Sequence, residues 1–525
     1  MASQLAEALA AVKRPDVVLK YGTAGFRDRE ELLDAALFRV GALAALRSRE
    51  KEGVVGVMIT ASHNPARDNG AKIVDTNGGM LASSWEELAA VLANAADSDI
   101  EGALLSLCSE EVISKQGGTV FIGRDTRNSS SRLRDRVVEG VKAAGAETLD
   151  FGLTTTPHVH WLVREANAGR EATLEAYYKQ LWTNYKIIAK KEDVRNVVID
   201  CAGGIGAVAV KSFLEQAKDL FNVEIRNPAG SDDELNSGCG AEFVQKEKKI
   251  PRSIDSQEQH VFASFDGDAD RVVYFYMKEG ALELLDGDKI NALLVDFIQV
   301  CLSEDENLAK AFSIGVVQTA YANGSSTRYL KSIVGDENIF CVPTGVKHLH
   351  HKAEMFDIGA YFEANGHGTI LFSEKVLSYS GPKTNAAERL LALASILNQG
   401  TGDALADLVA TEAVLSATSK NVHEWSDLYT DVPSRQMKVA VADRSAVLTN
   451  SDETRVIDPQ IVQDEIDKKV GAVRQGRAFV RPSGTENVVR VYAEAETQGE
   501  ADSLANEVAS VVFHHLAGVG ECPRV

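Results

Sequence analysis

An α/β fold spread over several domains is what this sequence predicts, on three observations. Strand-like and helix-like segments alternate along most of the chain. At 525 residues the chain exceeds what one core supports, so three or four domains are expected. Its 45% apolar and 25% charged content is that of an ordinary globular protein.

The elements follow in order. Leu5, Leu9 and Val12 recur at helical spacing, and Glu7 interrupts any signal-peptide core. Residues 54–59 form an apolar run that reads as a buried strand, and Asn64-Pro65 forces a turn soon after it. Residues 120–123 are strand-like and 131–144 helical, and Ala166-Asn167-Ala168-Gly169 reads as a linker before a helical stretch over 172–190. Strand 197–200 leads into helix 207–217; the turn between them lacks G-x-G-x-x-G spacing and reads as a tight strand-to-helix connection. Strand-like runs cover 261–265 and 272–276. A further change of character falls near Leu285-Asp286-Gly287-Asp288, and the apolar run 292–302 that follows is broken by Asp296 and too short to span a bilayer. The last change lies near residues 430–434, ahead of strands over 478–480 and 488–493.

Acidic residues outnumber basic ones by 76 to 55, a formal charge of −21. Such a surface repels nucleic acid and anionic membranes, so neither is an expected partner, while a small phosphorylated substrate held by a few arginines stays open. Six scattered cysteines with no C-x-x-C pair read as reduced thiols, which makes the cytoplasm the expected location.

Three motifs carry chemistry. Ser62, in Thr60-Ala61-Ser62-His63-Asn64-Pro65, is a hydroxyl nucleophile presented at a bend after a strand. On its own it is also an ordinary turn residue, so its meaning depends on the other two. In Asp266-Gly267-Asp268-Ala269-Asp270-Arg271, three carboxylates alternate with small residues between two apolar strands. Carboxylates converging in a tight loop call for a hard divalent cation, Mg²⁺ by default. An EF-hand is excluded, because its positions six and twelve would fall on Arg271 and Met277. The third motif, Arg481-Pro482-Ser483-Gly484-Thr485, offers a guanidinium, two hydroxyls and a glycine, as an anion nest does, with Arg490 on the next strand. No Walker loop occurs.

Together these motifs resemble the α-D-phosphohexomutase superfamily, and within it the phosphoacetylglucosamine mutase family. The resemblance runs over nearly the whole chain and includes Tyr21 to Arg27, Asp68 to Lys72, Gly123 to Arg127, Thr344 to His351 and Phe362 to Gly368. It implies three layered α/β domains with mixed sheets and a smaller C-terminal α+β domain around a central cleft: 1–168 with the serine loop, 169–284 with the metal loop, 285–428 with the sugar loop and 429–525 with the phosphate loop. It implies an enzyme that interconverts N-acetylglucosamine 6-phosphate and N-acetylglucosamine 1-phosphate, through a phosphoserine and a sugar 1,6-bisphosphate, and feeds UDP-N-acetylglucosamine synthesis. Ser62, His63, Arg27 and Lys72 are the implied catalytic residues, with Mg²⁺ on Ser62, Asp266, Asp268 and Asp270. The substrate is expected at Thr344, Gly345, Glu363, Ala364, Asn365, His367, Arg481, Pro482, Ser483, Gly484, Thr485 and Arg490. Lys72 and His367 are both candidates for the general acid/base. A catalytic sugar 1,6-bisphosphate is the implied activator, and a monomer or dimer the implied assembly. A broader phosphoglucomutase/phosphomannomutase, a metal-dependent phosphatase and a non-enzymatic sugar-phosphate scaffold are the alternatives.

Overall fold

The computed structural model describes residues 2–22, 24–190, 193–217, 219–230, 234–484 and 486–523. Among these, strands gather into four sheets in chain order, plus a two-stranded ribbon. The first sheet has six strands, in the order Tyr21–Gly22, Gly25–Arg29, Asp68–Val74, Val54–Ile59, Thr119–Arg124, Glu147–Leu153. Val54–Ile59 runs parallel to Thr119–Arg124 and antiparallel to Asp68–Val74. That mixture follows from the connections: the loop over 60–67 returns Asp68–Val74 antiparallel, while helical crossovers bring Thr119–Arg124 and Glu147–Leu153 in parallel.

The second sheet orders Ala281–Leu285, Val272–Lys278, Phe262–Phe265, Arg195–Asp200 and Phe221–Arg226. Every residue of Phe262–Phe265 is buried, as is Val272 through Met277, so these strands are apolar on both faces but for Ser264, whose hydroxyl donates to Asp200. The third sheet orders Ile339–Val342, Ile314–Thr319, Ile358–Phe362 and Gly368–Phe372 and is also mixed. The fourth is antiparallel throughout, with Val488–Glu494 between Ser434–Ala440 and Arg477–Pro482, and helices Gln460–Val470 and Gln498–His515 belong to the same segment. The expected α/β class with mixed sheets and a C-terminal α+β part is the observed architecture.

Ala166 and Asn167 are not linker but the end of helix Thr156–Asn167. Their small and amide side chains mark a helix C-terminus followed by Gly169, which takes a φ of 70°.

The core is not divided as the sheets are. A single apolar cluster runs from Val159 and Trp161 through Tyr177, Phe265 and Tyr274 to Ile298, Leu393, Leu408 and Trp425. The N-terminal and C-terminal parts keep cores of their own. Helix Leu174–Ile188 makes the join, with the Tyr177 hydroxyl donating to Asp403 and the Gln180 amide to the Ser395 carbonyl. No helix among the described residues is long and apolar enough to cross a membrane.

Candidate active site

Strand Val54–Ile59 ends at the loop that carries Ser62, and Ser62 itself sits at φ 50°, a left-handed conformation that costs a non-glycine residue about 1 kcal/mol or more. The loop is held in that form from outside. Arg127 donates from Nη2 to the carbonyls of Ser62 and Asn64, and Asn236 donates from Nδ2 to the same two oxygens. Arg127 is fixed in turn by Asp125. The Ser62 loop is thus clamped by two side chains from distant parts of the chain.

Opposite it, Phe262–Phe265 delivers the acidic loop and Val272–Lys278 leads away from it. The small spacers have distinct reasons. A Cβ on Gly267 would meet the Ser62 carbonyl at 2.5 Å, and Ala269 adopts φ 57°. The loop therefore packs directly on the serine loop. Ser62 Oγ donates to Asp266 Oδ2 at 2.9 Å, and Asp266 Oδ1 accepts the N–H groups of Asp270 and Arg271.

Asp266, Asp268 and Asp270 are all buried, with one oxygen from each within 4.8 Å of the others. Burial, then the charges of Asp270 and Asp268, push the Asp266 carboxyl well above the usual carboxylate range. Cations already converge on the triplet. Lys72 Nζ donates to Asp268 Oδ2 at 3.0 Å and Asp270 Oδ2 at 2.9 Å, and Arg271 Nε lies 3.6 Å from Asp270. Two buried oxygens, Asp268 Oδ1 and Asp270 Oδ1, still have no hydrogen-bond partner. All-oxygen donors, excess negative charge and unused lone pairs fit a Mg²⁺ ion.

Arg27 comes from strand Gly25–Arg29 and donates to Asn64 Oδ1 at 3.3 Å; its Nε is buried without a partner. His63 lies 3.4 Å from Glu242. Burial, then the Arg271 charge, lower its imidazole to about 4. At neutral pH that contact is between a neutral ring and a carboxylate, not an ion pair.

The sugar-loop residues stand on the turn between Ile358–Phe362 and Gly368–Phe372. His367 Nδ1 donates to the Asp270 carbonyl at 2.9 Å, Asn365 Oδ1 accepts the His367 N–H, and Asn365 Nδ2 donates to Glu363 at 3.4 Å. Gly366, at φ 85°, abuts Val272 so closely that a Cβ would meet its carbonyl at 2.0 Å. The Ala364 carbonyl accepts from Gly287. Metal and sugar loops are therefore one packed unit.

Thr344 and Gly345 precede helix Val346–Ala353, whose Lys347 reaches Glu86 and the Leu81 carbonyl in the first sheet's segment. In the C-terminal part, Arg481 and Arg490 face each other directly across two antiparallel strands. Like charges so placed repel unless an anion lies between them. Arg481 Nε donates to the Tyr321 hydroxyl at 3.1 Å, Ser483 is buried, and Pro482 and exposed Gly484 complete the described loop; Thr485 lies outside the described residues.

Sequence reasoning missed Thr156, whose hydroxyl donates to Asp268 Oδ2 at 2.5 Å while its N–H donates to the Asp268 carbonyl. The local signal, Thr154-Thr155-Thr156-Pro157, reads only as a helix start, and Thr155 does form the capping box. Asn236 was missed likewise, and Arg127, although part of the stretch Gly123 to Arg127, was given no role, because what the two hold is distant in sequence.

Sequence profiles described as Phosphoacetylglucosamine mutase AMG1, domains III and II, match residues 286–420 and 172–273. The phosphoglucomutase/phosphomannomutase profiles match at 42–99 and 98–177 (alpha/beta/alpha domain I) and at 437–511 (C-terminal domain). The phosphoacetylglucosamine mutase of Sus scrofa is 45% identical over 97% of both chains. The chain belongs to the phosphoacetylglucosamine mutase family. The human member of that family is 45% identical, covering 97% of this chain and 96% of its own, and the Arabidopsis thaliana member 44%, covering 95% and 96%. Among solved structures, the Aspergillus fumigatus N-acetylphosphoglucosamine mutase superposes with a TM-score of 0.92 at 39% identity, covering 98% of each chain. The same enzyme in complex with GlcNAc-6P and magnesium gives 0.91 at 39% identity, covering 97% of this chain and 98% of its own.

Proposed function

We propose that this chain interconverts N-acetylglucosamine 6-phosphate and N-acetylglucosamine 1-phosphate, with Ser62 as the phosphoryl carrier. The observation that carries the reading is the Ser62 hydroxyl held on Asp266, inside a buried carboxylate triplet with oxygens to spare. Relatives known as mutases, and one solved with GlcNAc-6P and magnesium, support it.

In this reading Ser62 Oγ carries a phosphoryl group and passes it to the free hydroxyl of the bound sugar phosphate. The 1,6-bisphosphate turns end over end and returns its other phosphoryl group to Ser62 Oγ. Asp266, Asp268, Asp270 and Ser62 Oγ would hold Mg²⁺, which supplies charge neutralisation for a phosphoryl oxygen in transit. Lys72 and Arg27 are the protein's own cations beside the same place, and neutral His63 can donate one hydrogen bond. Of the two acid/base candidates, Lys72 is held protonated: burial lowers its pKa, but Asp268 and Asp270 outweigh burial. The base then falls to His367, whose Nδ1–H is committed to the Asp270 carbonyl and whose Nε2 is left to accept a proton. Glu363 and Asn365, with Ala364 between them, read the ring hydroxyls, and Thr344-Gly345 bind the substrate nearer the phosphate loop, where the Thr344 N–H points at Glu453. Arg481, Pro482, Ser483, Gly484, Thr485 and Arg490 take the distal phosphate.

The division at 1–168, 169–284, 285–428 and 429–525 belongs to this reading, each part supplying one loop. So do a cytoplasmic location, supported by six free thiols, and a supply of sugar 1-phosphate to nucleotide-sugar synthesis. The test is to incubate the purified chain and Mg²⁺ with N-acetylglucosamine 6-phosphate and a trace of bisphosphate, following products by phosphorus NMR. Sugar 1-phosphate is expected; free phosphate alone would make the chain a phosphatase, and faster turnover of glucose or mannose 6-phosphate would make it a general phosphohexomutase.

A further inference from the structure

The short strands Leu448–Thr449 and Val456–Asp458 are joined by a tight loop, 450–455. Asn450 Oδ1 accepts the N–H groups of Thr454 and Arg455, and Asp452 Oδ1 accepts from the Thr454 hydroxyl, so the loop is tied across its base. Glu453 stands at its tip at φ 60°, in the left-handed region that glutamate avoids. Its side chain reaches out of the C-terminal part. Oε2 accepts the Thr344 N–H at 2.9 Å and lies 3.6 Å from Arg481 Nε. One carboxylate thus bridges the loop before a helix and the arginine assigned above to phosphate. The Thr344 hydroxyl, and the Nε of Arg490 across from Arg481, are buried without a hydrogen-bond partner.

We propose that Glu453 is a built-in anion occupying the place of the ligand's distal phosphate, which must displace it to bind. This rests on the reading of Arg481 as part of the phosphate site. A backbone N–H ahead of a helix and a guanidinium make an anion site, and a carboxylate is the anion the chain itself can supply. Glu453 offers two oxygens and one charge. A phosphate ester offers three free oxygens and close to two charges, so it can win the position and also engage Arg490. Tyr321 is the fixed half of the arrangement: its hydroxyl accepts from Arg481 Nε and its ring lies 5.4 Å from the guanidinium, so Arg481 keeps its pose when Glu453 leaves. Competition from Glu453 weakens the grip on phosphate, as an intermediate that must let go and rebind reversed requires. Between turnovers the same carboxylate shields the Arg481 guanidinium and ties the C-terminal part to residue 344.

The test uses inorganic phosphate as the probe, by calorimetry and as an inhibitor of turnover, on wild type, Glu453→Gln, Glu453→Ala and Arg481→Ala. Removing the competing carboxylate is expected to tighten phosphate binding about threefold to tenfold in both Glu453 variants, the range of a half-buried ion pair. KM should fall by a like factor while kcat does not rise. Two glutamate variants guard against one that misfolds, which thermal melting detects. Unchanged phosphate binding in Arg481→Ala would overturn the phosphate-site reading itself. Weaker binding in Arg481→Ala with equal or weaker binding in the glutamate variants would overturn the inference alone, leaving Glu453 a support for the site rather than its rival.

Discussion

Ser62 Oγ and Asp266 Oδ2, 204 residues apart in sequence, share a 2.9 Å hydrogen bond. The serine hydroxyl thus rests on a carboxylate of the acidic triplet, and the strained loop that presents it is clamped by Arg127 and Asn236.

Ser62→Ala is therefore expected to abolish turnover with little loss of fold. The hydroxyl is buried, but removing one oxygen leaves the loop's backbone clamps untouched. Intact mass should show a phosphoryl adduct on wild type that maps to Ser62 and is missing from the variant. Retained activity in the variant would refute a serine carrier.

Thr156→Val keeps the shape of the side chain and deletes the donor to Asp268. A hydrogen bond to a charged group contributes about 1.5–3 kcal/mol, so the Mg²⁺ concentration giving half-maximal rate should rise about tenfold or more. Asp268→Asn removes a ligand outright and should raise it further and lower the maximal rate. If both titrations match wild type, the triplet does not hold the metal.

Arg481→Ala is expected to release sugar 1,6-bisphosphate into solution. While the intermediate is off Ser62, only contacts remote from the serine keep it captive. Losing one charge-assisted contact is worth about 1.5–3 kcal/mol, or about tenfold to a hundredfold in escape. Escape strands an unphosphorylated enzyme, so the variant should also depend more on added bisphosphate. Slower turnover without either symptom would argue against a captive intermediate.

Stability should fall with acid through helix Thr156–Asn167. Burial lowers His158 to about 3, and burial first lowers His160 to about 4, against 6.5 for a free imidazole. Below pH 6.5 the unfolded chain binds protons that the folded chain refuses. Each histidine then weakens the fold by up to about 1.4 kcal/mol per pH unit, until the folded values are reached. Urea midpoints measured between pH 7 and 4.5 should drop, and a His158→Gln, His160→Gln double variant should flatten the decline.

The Ser62 bend and the acidic triplet were legible as motifs because each sits in a contiguous loop at a strand end, whereas Arg27 and Lys72 lie inside strands and were named only through the resemblance. Asp266, Asp268 and Asp270 announce a cation by their spacing alone. What holds those loops was not legible. Thr156, Asn236 and Arg127 act on partners that only the folded chain brings near, and a threonine before proline carries no sign of the carboxylate it will meet. The sheets were legible by their apolar runs, whereas Asn167 closed a helix with the same small residues that mark a linker.

The apolar cluster that passes from the second sheet into the third has a consequence for how this molecule melts. Trp425 sits at the seam, fully buried, edge-on to Tyr274 at 5.1 Å and donating to the Lys289 carbonyl. Neither middle sheet can lose its order without stripping the other's face, so the two should unfold in one cooperative step. Damage at Trp425, costing about 3–5 kcal/mol for truncation to alanine, would then be felt in the acidic loop and in the sugar loop alike.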